Sequence, residues 1–92
     1  MDRKMRIVRI GDWLSARVGD ELVMMSAGEG ISLGLTEVGA RVWELLDTES
    51  ELDRICEALG REFDVPPDVC RAEVAVFVEE MADRGVVAIE AA

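Results

Sequence analysis

The side chains that most often bind metals or carry redox chemistry are few in this chain and poorly spaced. Two cysteines, Cys56 and Cys70, lie fourteen residues apart, and there is no histidine. Zinc sites and redox motifs of standard spacing need CxxC pairs or histidine ligands. We therefore expect no metal and no cofactor. Both thiols are interpreted as small buried apolar residues, although a single disulfide between them would be compatible with the sequence.

The carboxylates do not indicate a reaction either. Without histidine, general-base chemistry would fall to carboxylates or to Lys4, and no pair of acids lies in an apolar stretch that would raise a pKa. A solubilising surface, rather than a weak cation site, better explains the acidic residues Glu79, Glu80 and those of 47–51. The glycine-bearing stretch 30–34 lacks the lysine and hydroxyl of a phosphate-binding loop. The sequence thus predicts a protein that is not an enzyme.

The chemistry that the sequence does offer is backbone hydrogen bonding at residues 31–35. Ile31, Leu33 and Leu35 alternate with Ser32 and Gly34, which is the period of a half-buried strand. Edge strands are normally protected by lysine, proline, inward-pointing charge or a bulge, and none of these residue signals occurs here. An unprotected edge can accept a peptide as an additional strand. We expect these five residues to form the main-chain part of a peptide-binding site.

Length and charge limit the possible partners. A chain of 92 residues fits one small domain, in which folding hides roughly 60 to 65% of the surface of the unfolded chain. The net charge is -10, and residues 1–35 are balanced, with five acids and five bases. The surplus of acids therefore lies after residue 35, where it repels phosphate backbones. We expect a basic or neutral polypeptide as partner and no nucleic acid.

Targeting signals are also absent from the sequence. The first residues contain no apolar core of a signal peptide, and no apolar run approaches the length of a membrane span. The expectation is a cytoplasmic protein without a membrane partner.

Periodicity and turn residues predict strands in the first third of the chain. Residues 15–18, 22–26 and 31–35 are predicted strands, joined by turns at Gly19-Asp20-Glu21 and at 27–30, so they form an antiparallel meander with the last strand at an edge. Residues 5–10 are either a strand or an extended arm. We expect an N-terminal arm over 1–13 and the domain over 14–92.

Three helices follow in the predicted order. Thr36 is a suitable N-cap for the first helix, in which Gly39 indicates that another group passes close by, with Trp43 as a candidate for that junction. Ser50 is predicted to cap the second helix, and Pro66-Pro67 to begin the third. A short strand or tail over 86–89 ends the chain. The predicted fold class is α+β and winged helix-turn-helix-like, with a three-stranded sheet, three helices and a terminal strand.

Four segments together resemble the PqqD-like family, the recognition domains of ribosomal peptide pathways (RiPP recognition elements). They are the strand and the glycine- and tryptophan-bearing helix over 31–46, the stretches 55–59 and 63–65, and the stretch 77–87 with Arg84-Gly85 at the end of its helix. The resemblance implies a protein that binds the leader of a precursor peptide. In this family the leader adds to the third strand of the meander and lies against the third helix, so that partner enzymes can modify the rest of the precursor.

For the pocket beside that strand we predict the exposed flank of the third helix near its start. Five residues are candidates, and periodicity alone favours a plain core role for the last three: Cys70, Arg71, Val74, Phe77 and Val78. Arg71 is a candidate to pair with a carboxylate of the leader, and solvent exposure or an intrahelical partner, Glu73 or Asp68, is the alternative. Family members commonly carry an aromatic pair and an asparagine where this chain has Ser32-Leu33-Gly34-Leu35-Thr36, and we expect the small side chains at Ser32 and Gly34 to leave room for a bulky leader side chain.

Several functions stay open at this point. The resemblance favours the recognition protein of lasso peptide clusters, which serves a leader peptidase and a macrocyclase. The first alternative is a PqqD-type chaperone that serves a radical-SAM enzyme in quinone-cofactor synthesis. Self-pairing of two chains through the same edge, or coverage of that edge by residues 5–10, is also compatible with the sequence. A winged-helix DNA binder is disfavoured, because residues 67–84 hold two bases and five acids.

Overall fold

Alternating apolar and polar residues build the first part of the chain as strands, and 3.6-residue periodicity builds the second as helices. The computed structural model describes residues 5–90. Its strands are β1 Arg6–Arg9, β2 Trp13–Val18, β3 Glu21–Ser26, β4 Ile31–Thr36 and β5 Val87–Glu90, and its helices are α1 Glu37–Leu45, α2 Leu52–Phe63 and α3 Pro67–Asp83. This arrangement confirms the predicted mixed α+β class, with a three-stranded antiparallel sheet and three helices.

The three-stranded sheet has the order β2-β3-β4, as the meander predicted. The hairpin between β2 and β3 turns at Gly19, whose φ of 63° lies in the left-handed region that glycine adopts without strain. In the pairing of β3 with β4, Leu22 lies opposite Leu35 and Met24 opposite Leu33. These residues face the core, so β4 is held in register by its apolar side chains.

A second, two-stranded sheet pairs β1 with β5 in antiparallel orientation. Ile7 lies opposite Ile89 and is buried in the core, and its backbone N–H donates to the carbonyl of Ser50 at 2.8 Å. Residues 6–9 are therefore part of the folded body. This corrects the alternative in which residues 5–10 pair with β4 of the same chain. The predicted arm of 1–13 overlaps β1 and the first residue of β2, and residues 1–4 lie outside the described residues.

The N-cap of α2 is Glu51 rather than the predicted Ser50, and no side chain caps the start of this helix. The reason is tertiary, because β1 uses the backbone at 50–51 through the Ile7 hydrogen bond and an Arg6–Glu51 bridge. Helix α1 follows β4 without a connector, and Glu37 adopts a left-handed φ of 49° at the change of direction. The capping role predicted for the Thr36 side chain lies outside what the structure describes.

The core lies between the sheets and the helices. Every described element except β2 contributes a buried apolar side chain, including Met24, Val42, Ile55 and Val74, each 0% exposed. Trp43 is also buried, and its indole N–H donates to the Ser15 hydroxyl at 3.2 Å. Trp43 therefore packs between α1 and the sheet.

Candidate functional site

Strand β4 is hydrogen-bonded to a neighbour on one side only within residues 5–90, because β3 is its single partner in the sheet. Its inward side chains grade from exposed to buried along the strand: Ile31 is 45% exposed, Leu33 is half-buried and Leu35 is buried. Ser32 and Gly34 lie on the outer face and are exposed. The predicted alternation is therefore confirmed, and one backbone edge of this strand is free among the described residues.

Helix α3 does not present the predicted pocket in full. Cys70, Val74 and Val78 are buried at 3%, 0% and 1% exposure, so their side chains belong to the core and not to an exposed flank. This is a correction of the sequence prediction. Because these residues recur at four-residue intervals, the central stripe of α3 is the face that packs inward.

Arg71 lies on the α2 side of that stripe. Its guanidinium donates to the Asp53 carboxylate of α2 at 2.6 Å, so neither Glu73 nor Asp68 is its observed partner. The Nε atom of Arg71 is buried and lacks a hydrogen-bond partner in the described structure. Together with Cys56, Arg61 and Pro67, Arg71 lines an open cleft of about 640 Å³ between α2 and the start of α3.

Phe77 lies on the α1 side of the stripe. Its Cε1 atom is 3.0 Å from the position that a Cβ would occupy at Gly39, in the first turn of α1. The prediction that a group passes close to Gly39 is confirmed, but that group is Phe77 and not Trp43. Because α1 follows β4 directly, Phe77 is placed beside the carboxyl end of the free strand.

The predicted site residues thus fall into three groups. The β4 residues form the free edge strand, and Phe77 packs on the first turn of α1, at the corner of the molecule where β4 ends. Cys70, Val74 and Val78 lie in the core, and Arg71 lies at the α2 cleft. Glu73 and Glu80 are exposed and lie on the face of α3 that carries Phe77, at spacings of four and three residues from it.

Arginine–carboxylate pairs hold α1 in place beside the sheet. Arg17 of β2 donates to both carboxylate oxygens of Glu44, at 3.1 and 2.8 Å, and this pairing lowers the pKa of the Glu44 carboxyl. Arg41 donates to Glu62 of α2 at 2.7 Å, which raises the pKa of that arginine. Arg9 stacks over Trp43, with its Cζ 4.1 Å from the ring centroid. These contacts hold α1, which follows β4 directly, against the sheet and α2.

The described residues show no metal-binding arrangement. No group of three or more Asp, Glu, Cys or His side chains within 5–90 is placed to hold an ion. Cys56 and Cys70 are free buried thiols, and burial raises the pKa of Cys56 to about 11. No helix within the same range is long and apolar enough to cross a membrane.

The fold and this corner define a small α+β protein with a free strand edge next to a partly exposed aromatic side chain. The chain belongs to the PqqD family, because the family model "Coenzyme PQQ synthesis protein D (PqqD)" matches residues 21–87. The resemblance found in the sequence is therefore confirmed.

Two solved structures are similar to the chain. TbiB1 in complex with the TbiA(beta) leader peptide is 25% identical, with a TM-score of 0.80, and the match covers 87% of this chain and 93% of that chain. A lasso peptide synthetase B1 complexed with the leader peptide is 17% identical, with a TM-score of 0.76 and coverage of 89% and 96%. No curated protein sequence matches the chain.

Proposed function

We propose that this protein is a non-catalytic, cytoplasmic leader-peptide-binding protein of lasso peptide biosynthesis. The leader of a ribosomal precursor adds as a strand to β4, and the bound precursor is presented to a leader peptidase and a macrocyclase. The observation that carries the proposal is the free edge of β4 beside Phe77. Membership of the PqqD family and the leader peptides in both similar structures support it.

Strand addition divides recognition into two parts. Backbone hydrogen bonds to β4 supply affinity without regard to sequence, and pockets for alternate side chains supply specificity. Inward-facing side chains of the leader lie near Leu33 and Phe77, both half-buried at the rim of the core. Outward-facing side chains of the leader pass Ser32 and Gly34, which themselves have a small side chain and none. An apolar leader side chain therefore belongs on the inner face.

The lasso assignment is preferred to the quinone-cofactor alternative because one of the similar structures is itself a lasso peptide synthetase B1. A PqqD-type chaperone that serves a radical-SAM enzyme stays the second assignment within the same binding mechanism. In either assignment we regard α1–α3 and β5 as a winged helix-turn-helix-like arrangement in which the third helix faces a peptide. The net charge of -10 favours such a partner over nucleic acid.

The test uses a lysine on β4 and a matched lysine on the opposite edge of the sheet. Ala16, Val23 and Gly34 form one cross-strand row, in which Ala16 is on edge strand β2 and Gly34 on edge strand β4. Gly34→Lys fills the outer face of β4 and protects its edge, as edge lysines do in natural sheets. Affinity for a labelled peptide, selected by the wild type from a random library, should fall at least about fivefold, the effect of losing about 1 kcal/mol.

Ala16→Lys should leave that affinity unchanged in fluorescence polarisation, and circular dichroism should show both variants folded. Gly34→Pro provides a second variant, which removes a backbone N–H from the same strand. Equal affinities of the wild type and both Gly34 variants would rule out strand addition at β4. A loss confined to Ala16→Lys would place the peptide on β2 instead.

A second candidate function is self-association, favoured by exposed apolar side chains on the outer face of the sheet. Leu14, Val18 and Met25 are 69%, 64% and 53% exposed and lie on β2 and β3. Light scattering separates the two functions, because a recognition protein binds the selected peptide as a monomer, whereas a self-pairing module is a dimer without peptide.

A further inference from the structure

The Glu21 carboxylate lies over Gly34 on the outer face of the sheet. A Cβ at Gly34 would be 3.1 Å from the Glu21 carboxyl carbon and 3.1 Å from its Oε2. Glu21 begins β3, one strand inward from the free edge, and its side chain leans across β4 because Gly34 has no side chain to prevent it. An acidic group thus covers the gap that the glycine leaves at the edge.

No cation neutralises this carboxylate within the described residues. Glu21 is exposed, and its side-chain carboxylate takes part in no ion pair or hydrogen bond among these residues. The basic side chain on the neighbouring strand, Arg17, is engaged with Glu44 on the inner side of the sheet. Asp20 precedes Glu21 in the turn. Glu37 directly follows Thr36, which lies opposite Glu21 in the pairing of β3 with β4. The end of β4 therefore carries unneutralised negative charge next to its free edge.

A strand added to β4 brings one side chain within reach of that charge. Neighbouring strands lie about 4.8 Å apart, and side chains directly opposite each other on one face have Cβ atoms about 4.5–5.5 Å apart. The residue opposite Gly34 therefore has its Cβ about one strand spacing from the region that the Glu21 carboxylate occupies. Lysine and arginine stems span this distance and cross an empty glycine position.

We propose that Glu21 is a specificity-determining residue, and that it selects peptides with lysine or arginine at the outer-face position opposite Gly34. The inference rests on the proposed strand addition and deepens it by naming the chemistry of one peptide position. Aspartate or glutamate at that position meets Glu21 across the glycine and is rejected. The pair is exposed to solvent, so its effect on affinity is about 1.5- to 5-fold.

The experiment selects binders from a random peptide library with three proteins: the wild type, Glu21→Lys and Glu29→Lys. Glu29 is an exposed acid in the turn between β3 and β4, so its substitution makes the same change in net charge without altering the carboxylate over Gly34. Wild type and Glu29→Lys should enrich lysine or arginine at one fixed position of the aligned binders. Glu21→Lys should enrich aspartate or glutamate at that same position.

Fluorescence polarisation on one selected peptide then measures the pair directly. Replacing the enriched basic residue by glutamine should weaken binding to the wild type about 1.5- to 5-fold and leave binding to Glu21→Gln unchanged. Binders without a charge preference at any fixed position, or a loss of the same size in both proteins, would overturn the role of Glu21 and leave strand addition intact. Failure of the wild type to enrich any peptide over Gly34→Pro would instead contradict the proposed function.

Discussion

Gly39→Ala tests whether Phe77 is held against the first turn of α1, the contact that joins α3 to the end of β4. The alanine Cβ would lie 3.0 Å from Cε1 of Phe77 and 3.5 Å from its Cδ1 and Cζ. Carbon atoms prefer separations of about 3.5–4.0 Å, so the ring must move by about half an ångström or more. A half-buried ring can move, but it does so by giving up contacts with its neighbours.

Two effects of opposite sign determine how much Gly39→Ala changes the free energy of unfolding. Alanine in place of glycine stabilises a helix interior by about 1 kcal/mol, whereas overpacking typically costs about 1–3 kcal/mol. We expect Gly39→Ala to leave the free energy of unfolding unchanged or to lower it by up to about 2 kcal/mol. In a Phe77→Ala background the close contact disappears, so the same substitution should stabilise by about 1 kcal/mol. The coupling energy between the two positions is thus expected to be at least about 1 kcal/mol.

The assay is urea unfolding of the four proteins of this double-mutant cycle, followed by tryptophan fluorescence, since Trp43 is buried in the native state. With a slope of about 1 kcal/mol per M, the coupling shifts the midpoint by about 1 M. Gly60→Ala is the matched control, because a Cβ there meets only Val65 O at 3.9 Å, and it should stabilise in both backgrounds. If Gly39→Ala stabilises equally with and without Phe77, the contact as described does not exist.

Two further predictions concern titrating groups. Burial raises the pKa of Cys56 from 9.0 to about 11 and so favours the neutral thiol in the folded state. The stability from this burial is therefore present below about pH 9 and lost as the pH rises to about 11. At pH 8, iodoacetamide should modify native Cys56 about a hundredfold more slowly than the urea-unfolded chain, as measured by peptide mapping, and equal rates would contradict the burial. The pKa of Glu44 is lowered, mainly by its hydrogen bond from Arg17. The stabilisation from this pair is present above the usual pKa of 4.5 and is lost as the pH falls through the lowered value. Arg17→Gln should move the Glu44 pKa, followed by carboxyl NMR, back toward 4.5, and it should destabilise the protein more at pH 7 than at pH 3; an unchanged titration would disprove the pairing.

The fold was predictable where the signals were local. Alternation over 31–35 and the turn predicted at Gly19-Asp20-Glu21 defined the meander, and proline defined the start of α3, because strand period, turn geometry and helix termini depend on neighbouring residues. The pairing of β1 with β5 was not predictable in the same way. It joins residues more than seventy positions apart, and a short run such as Arg6-Ile7-Val8-Arg9 has the same pattern in a strand and in an extended arm.

The candidate site was predictable in its strand and only partly in its helix. Periodicity identifies the apolar stripe of α3 but does not say how wide the covered part is. Cys70, Val74 and Val78 are therefore buried, whereas Phe77 reaches the surface beside α1. Arg71 pairs with Asp53, a residue on another helix. No spacing within α3 could reveal that partner, because ion pairs between helices depend on how the helices pack.

By itself the sequence determined an unprotected strand edge over 31–35, because the alternation of that stretch and its lack of lysine, proline and charge are properties of neighbouring residues. The tertiary structure decided what surrounds that edge. Phe77 reaches it through contact with Gly39, and Glu21 reaches it by leaning over Gly34. Both neighbours come from elements distant in sequence, and long-range packing and cross-strand register place them there.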